Sequence, residues 1–283
     1  MPELPEVETV LRGLEPVLTG AKFDRVEQRR ANLRFPFPKN MPARLEGLKV
    51  NELKRRSKYI LAHLSDGNVL VIHLGMSGRI TIDRARRNEA PGKHDHVIFH
   101  MSNGQVVTYN DARRFGSMSL IEGSLLDAHS MFRNLGVEPL GPEFNTAYLS
   151  ARAAGKTTDL KAFLMDQRNI AGLGNIYVCE ALFRAGISPK RHAGSLARKD
   201  GSPSVRTTRL VVAIRDVLEE AILAGGSTLR DHRLADGSLG YFQHSFAVYG
   251  RMGEACTGPG CSSQVQRIKQ AGRSTFYCGR CQG

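Results

Sequence analysis

Apolar residues recur at Val7, Val10, Leu11 and Leu14, a three-and-four spacing that predicts a helix at the start of the chain. Pro5 suits its first turn, and Glu6 and Glu8 complement the positive helix N-terminus. Pro16 predicts an end or kink, with a stop by Gly20. The pattern then changes to short β-rich runs at Tyr59–Leu64, Val69–Leu74, Arg79–Ile82, Val97–His100 and Val106–Tyr109. Ser65-Asp66-Gly67-Asn68 and Ser102-Asn103-Gly104 supply hairpin turns. These runs predict an antiparallel sandwich ending near residue 133, with the polar stretch Arg84–Lys93 as a mobile excursion.

Gly136, Pro139, Gly141 and Pro142 resist both helix and central strand, so 134–150 reads as an interdomain hinge. Helical spacing follows. One helix is expected over Leu160–Met165, a second capped by Asn175 and running to about Ala185, and a third opened by Ser202-Pro203. In that third helix Leu210, Val211, Ile214, Val217, Leu218, Ala221 and Ile222 form one apolar face, ended by Gly225-Gly226. The fold class is therefore α+β: an N-terminal β-sandwich with a flanking helix, then a helical domain.

Composition narrows the function. Forty Lys and Arg against 27 Asp and Glu give a formal charge of +13 over 283 residues, which favours a polyanionic partner through counterion release. DNA or RNA leads, because no basic amphipathic anchor, apolar span of membrane length or secretory signal is evident. A cytoplasmic, nucleoid-associated protein is expected, with no membrane association.

Chemistry concentrates at the two ends. Cys256-x4-Cys261-x16-Cys278-x2-Cys281 places two close thiolate pairs about a short hairpin, the arrangement of one structural Zn2+ with no open coordination position. A disulfide pair or four unrelated buried thiols is the alternative. Catalysis must then lie elsewhere. Pro2, once Met1 is removed, offers a secondary amine; an ordinary α-amino group titrates at about 7.7 to 8.0, so a neutral fraction exists near pH 7. Its attack on a sugar carbon yields an iminium that acidifies the adjacent C–H, with Glu3 and Glu6 near enough in sequence to assist. The plainer reading is a chain start with helix-dipole acids.

The stretch Asp166-Gln167-Arg168-Asn169-Ile170-Ala171-Gly172-Leu173-Gly174-Asn175-Ile176-Tyr177 sets a glycine turn ahead of a helix, where backbone N–H groups can hold phosphate. His94-Asp95-His96 with His100 could be read as a metal site, but lacks a carboxylate from another element and is set aside. Cys179 falls on an apolar helix face and reads as a buried thiol.

Met1-Pro2-Glu3-Leu4-Pro5-Glu6-Val7-Glu8-Thr9, His73-Leu74-Gly75-Met76-Ser77-Gly78, Asp111-Ala112-Arg113-Arg114-Phe115-Gly116, the glycine turn and Gly272-Arg273-Ser274-Thr275-Phe276-Tyr277-Cys278 together resemble the bacterial formamidopyrimidine-DNA glycosylases. The resemblance spans essentially the whole chain. It implies a catalytic β-sandwich domain over 1–133, the hinge, a helix-two-turn-helix domain with a lesion-cap loop over 151–249, and a zinc-bound hairpin over 250–283. It also implies a bifunctional glycosylase and AP lyase acting on oxidised purines in damaged double-stranded DNA, working as a monomer.

By that resemblance Pro2 forms a Schiff base at C1′, Glu3 moves the proton, Glu6 supports, and Lys58 serves β-elimination. Arg273 grips phosphate for δ-elimination; a guanidinium is too weak an acid to donate its proton, so an electrostatic role fits better. Met76, Arg113 and Phe115 fill the gap left by an everted nucleotide, although without the motif Met76 and Phe115 would read as core. His94, Arg113, Lys156 and Asn175 match DNA contacts, and Ser227–Tyr249 matches the cap loop. Two departures stand out. Ala112 replaces a usual proline, and four residues rather than two separate the first cysteines, which should widen that knuckle. The related endonuclease VIII class, which prefers oxidised pyrimidines, usually begins Pro-Glu-Gly-Pro, and Leu4 argues against it.

Overall fold

The computed structural model describes residues 2–84, 90–227 and 240–283. Met1, the middle of the expected excursion and the central part of the cap loop lie outside the described residues. The chain forms two compact units, Met1–Arg133 with Ala224–Gln243 and Asn134–Leu223 with His244–Gly283.

The first unit opens with α1 (Leu4–Leu18). Pro5 occupies its first turn, as the sequence predicts, and Glu3 N donates to Glu6 Oε2 at 2.8 Å. The helix continues through Pro16 and ends at Thr19, with Gly20 at φ +84°. One sheet has the order β1 (Phe23–Gln28), β6 (Asp95–Met101), β7 (Gln105–Asp111), β5 (Gly78–Arg84); the other runs β2 (Val50–Arg56), β3 (Tyr59–Leu64), β4 (Asn68–His73), β8 (Ser117–Glu122). All these pairings are antiparallel. A short helix, α2 (Met41–Leu45), packs beside β1. Val10 and Leu14 of α1, Ile60 and Ile72 of one sheet, and Val97, Phe99 and Tyr109 of the other share one core.

The five predicted runs are strands, while β1, β2 and β8 have no counterpart in the sequence reading, β1 and β2 for a shared reason. The reason is local. Each carries a register shift, Phe23/Arg25 in one and Val50/Glu52 in the other, so Phe23 and Val26, and likewise Val50 and Leu53, face inward three residues apart. A bulge breaks the period of two on which strand recognition depends.

In the second unit α3 (Thr146–Ala153), α4 (Leu160–Met165), α5 (Asn175–Arg184) and α6 (Val205–Leu223) surround a core that includes Leu149, Leu164, Tyr177, Leu210, Ile214 and Val217. The face predicted for α6 is buried throughout, and full burial of each such side chain stabilises by about 1.5–3 kcal/mol. A hairpin of β9 (Gln266–Gln270) and β10 (Arg273–Tyr277) turns through Ala271 and Gly272, both at positive φ, as a two-residue type I′ turn demands. Cys179 is buried beside Val248, Val265 and Phe276.

Residues 134–150 are bonded to the helices that follow: Gly136 N donates to Gln167 O at 2.8 Å, Ala171 N to Val137 O at 3.0 Å, and Asn145 caps α3 through Tyr148 N. One helix-capping expectation is revised. Asn175 is the first residue of α5, not its cap; Gly174 is the cap, and the Asn175 amide is used elsewhere. The described ends of Ala224–Gln243 group with the first unit, not with the helices, because Glu6 Oε1 accepts both Ser227 N and Ser227 Oγ at 2.9 Å.

Candidate active site and nucleic-acid interface

Pro2 and Glu3 are buried at the foot of α1. Glu6, 2% exposed, is the organising group there: Oε2 fixes the Glu3 backbone and Oε1 holds Ser227. Ser227 in turn bridges to Tyr241, and Phe242 N donates to Gly226 O at 3.1 Å. Only glycine permits that approach, since a Cβ on Gly240 would lie 2.4 Å from Gly226 O. Lys58 belongs to the two-residue turn joining β2 to β3, in which Ser57 has φ +55°. Arg55 ties that turn to α1, with Nε donating to Glu8 Oε2 at 2.8 Å and Nη1 to Ser57 O at 3.2 Å. Burial would raise Glu8, but its bonds to Arg55 and Arg12 more than offset this and hold it below the usual carboxylate range.

The second feature of this unit is a groove of about 650 Å³ lined by Arg34, His73, Met76, Arg113 and Phe115 among others. Its rim is built from two loops pressed together. A Cβ on Gly75, at φ +62°, would lie 2.3 Å from the Phe115 carbonyl carbon. Asp111, fully buried, clamps both loops: Ser77 Oγ donates to Oδ1 at 2.6 Å and Gly116 N to Oδ2 at 2.8 Å, while Ser77 Oγ accepts Arg113 N at 3.0 Å. Met76 and Phe115 are 38% and 43% exposed, so neither is core. The Arg113 guanidinium lies 4.9 Å from the Phe115 ring centroid, a stacking that leaves its edge for hydrogen bonds. Burial, then the charges of Lys58 and Arg34, push His73 down to about 4. Neutral His73 accepts Gly75 N at Nδ1, 3.1 Å away, and keeps Nε2–H as a donor.

His94 is half-buried; its carbonyl accepts Asp111 N at 3.0 Å, and its ring lies 6.4 Å from that of His96. His96 Nε2 bonds Asp111 O and His100 Nε2 bonds Glu27 Oε1, so both rings are engaged in sheet contacts.

In the second unit, Gln167 shapes the glycine turn: Nε2 donates to Leu173 O at 2.8 Å and Oε1 accepts Gly172 N at 2.8 Å. Asn175 Nδ2 donates to Ser274 O at 3.1 Å, beside exposed Arg273 at the start of β10. Asn175 and Arg273 are thus brought together. Lys156 is exposed and lines a different recess, of about 670 Å³, with Arg152, Asp166, Arg168 and Asn169.

The four cysteine sulfurs lie within 4.8 Å of one another, and they form the one such cluster of metal-ligating groups among the described residues. Cys256–Cys281 and Cys261–Cys278 Sγ separations are both 3.7 Å, far beyond a disulfide bond. A tetrahedral zinc with Zn–S of about 2.3 Å requires about 3.8 Å between sulfurs, so the site fits one structural zinc. The four-residue spacing is absorbed by a turn, Cys261 N to Gly258 O, in which Gly258 N also donates to Cys256 Sγ at 3.3 Å. A Cβ on Gly258 would sit 2.7 Å from Cys281 Sγ. Burial pushes Cys281 up to about 12, whereas a bond from the Ser263 backbone draws Cys261 down to about 6; a dication held by the four sulfurs would favour the ionised form of all of them.

Sequence reasoning overlooked several residues at these places. Arg34 stacks on Phe35, itself 56% exposed, yet neither belongs to a periodic run. The Glu6–Ser227 link joins positions 221 apart and leaves no local signal. Asp111 and Ser77 were visible within their motifs, though not their bond.

Comparison with known proteins is consistent over the full length. The formamidopyrimidine-DNA glycosylase N-terminal domain family matches residues 1–118, the formamidopyrimidine-DNA glycosylase H2TH domain 135–233, and the zinc finger found in FPG and IleRS 259–283. That last match starts between the first two cysteines, beyond Cys256. The formamidopyrimidine-DNA glycosylase of Beijerinckia indica is 61% identical over 287 residues, covering 100% of both chains. The Lactococcus lactis Fpg structure with abasic-site DNA gives a TM-score of 0.86 at 32% identity, covering 100% of each chain. The wild-type Lactococcus lactis protein with DNA containing an oxidised pyrimidine gives 0.86 at 33%, covering 99% of each. In sequence, fold and cysteine site alike, the chain belongs to the formamidopyrimidine-DNA glycosylase family.

Proposed function

We propose that this DNA glycosylase of base excision repair excises 8-oxoguanine and formamidopyrimidines from duplex DNA and then cleaves the strand as an AP lyase. The Pro2 nitrogen, freed by removal of Met1, attacks C1′ and expels the base. Cleavage of the C1′–O4′ bond, with O4′ taking up a proton, opens the sugar and leaves an iminium, which withdraws electrons from C2′ and labilises its proton. Departure of the 3′ phosphate is β-elimination, and departure of the 5′ phosphate is δ-elimination. Glu3 passes protons at the sugar, and Lys58 assists the first elimination. Arg273, with Asn175, holds phosphate, and Lys156 and His94 contribute further backbone contacts. Met76 and Phe115 occupy the gap behind the everted nucleotide, and Arg113 faces the orphaned base. Zinc keeps the hairpin that carries Arg273 folded. One chain suffices.

The observation that carries this reading is the anchoring of the N-terminus by Glu6, which fixes Glu3 N at 2.8 Å next to buried Pro2. Burial favours the neutral amine, the form that attacks. Borohydride trapping on an abasic-site duplex tests it: covalent attachment is expected from processed protein and its loss from N-terminally acylated protein. Equal trapping by the acylated form would defeat the assignment. Substrate preference needs its own comparison, because the Lactococcus lactis protein has been seen with an oxidised pyrimidine. Faster excision of 8-oxoguanine than of thymine glycol is expected here, and the reverse order would move the chain's preference to pyrimidines.

A further inference from the structure

Lys161 belongs to no motif used above, yet its side chain in α4 is 1% exposed. Burial of an ammonium carries a desolvation penalty of several kcal/mol, and a methionine would fill the same space without it. Packing therefore does not account for the charge. Nζ donates to Ser274 O at 3.2 Å, the carbonyl that also accepts Asn175 Nδ2 at 3.1 Å. Two donors, one from α4 and one from α5, thus hold the β10 backbone at the residue following Arg273. Since a carbonyl only accepts, Ser274 also orients the Asn175 amide. Asn175 Oδ1 is left buried without a hydrogen-bond partner, and the second Nδ2 hydrogen is left for a ligand oxygen.

We propose that Lys161 is a positioning residue for the DNA phosphate held by Arg273 and Asn175. Its ammonium pins Ser274, so the hairpin presents the Arg273 guanidinium in one place. It also supplies a fixed positive charge behind the phosphate, in surroundings where salt screens it little. This rests on the reading of Arg273 given above.

The test uses the zinc-loaded full chain and a double-mutant cycle. Binding to a duplex carrying a tetrahydrofuran abasic analogue is measured over a salt series for Lys161→Met, Lys161→Gln and Arg273→Ala, alone and combined. Arg273→Ala should weaken binding by roughly 10-fold. Lys161→Met should weaken it about 5- to 10-fold when Arg273 is present and less than about 2-fold when it is absent, with Lys161→Gln between. Equal weakening in both backgrounds overturns the positioning role and leaves the reading of Arg273 standing. Unchanged binding by Arg273→Ala defeats that reading, and the role of Lys161 falls with it. Loss of zinc or of cooperative unfolding in both Lys161 variants makes the residue structural and overturns the proposal.

Discussion

Replacing Glu6 by glutamine probes the joint between the N-terminus, proposed above as catalytic, and Ser227. The carboxylate accepts Glu3 N on one oxygen and Ser227 N and Oγ on the other, at 2.8, 2.9 and 2.9 Å. Glutamine has one acceptor and one NH2 donor, so it cannot serve both sides. With its oxygen toward Glu3, the NH2 can donate to Ser227 Oγ, but Ser227 N is left facing a donor. With its oxygen toward Ser227, Glu3 N is the orphan. Either way a buried N–H is unpaired and a charge-assisted bond is lost, about 1–3 kcal/mol. Urea unfolding should show a lower midpoint with an unchanged slope. Backbone movement at Glu3 displaces Pro2, and a misplacement of about 1 Å lowers rates on the order of 100-fold. Single-turnover imine formation on an abasic-site duplex should therefore slow by roughly 10- to 100-fold. A Glu6→Gln protein with wild-type midpoint and wild-type imine formation would refute the reasoning.

Three further outcomes follow from the geometry. Gly75→Ala drives a Cβ to 2.3 Å from the Phe115 carbonyl carbon at φ +62°, so it should destabilise by about 2–4 kcal/mol; urea unfolding measures this, and, on the proposed role of Met76 and Phe115, 2-aminopurine beside the lesion should lose its fluorescence response as their two loops part. His73, held at about 4 in the fold against about 6.5 unfolded, binds its proton more readily unfolded, so stability falls as pH drops from about 6.5 to 4, by at most about 3 kcal/mol. His73→Gln should flatten that part of the urea-midpoint profile, and an unchanged slope would contradict it. Zinc removal by a chelator should release one ion per chain, unfold the Cys256–Cys281 hairpin and weaken DNA binding, whereas the circular-dichroism signal of the eight sandwich strands should persist; atomic absorption and binding titration check this.

What the sequence discloses depends on how local the cause is. The face of α6 follows from spacing within one helix, β3 and β4 from short apolar runs between glycine turns, and the zinc site from four residues whose type and spacing define the geometry. In the first helix the apolar spacing starts only at Val7, and the first turn is legible instead from Pro5 and Glu6. Bulges hide β1 and β2 by putting Phe23 with Val26, and Val50 with Leu53, on one face. Glycine and proline make 134–150 look like linker, but Gly136 is there so that its backbone can lie against Asn169 O, 2.4 Å from where a Cβ would be. Among the site residues, Met76 and Phe115 are indistinguishable from core by hydropathy, and only their motifs mark them; their exposure comes from the Gly75 and Asp111 packing. Lys161 is the opposite case, a charged residue that composition assigns to the surface and the fold buries.

In the proposed reaction the amine of Pro2 becomes bonded to the sugar whose base has left. Reducing the protein–DNA intermediate with borohydride, digesting the adduct and mapping the modified peptide by mass spectrometry tests this directly. The deoxyribose remnant is expected on the nitrogen of Pro2 at the processed terminus. A remnant on the Lys58 ammonium nitrogen, or on any other side chain, would contradict it.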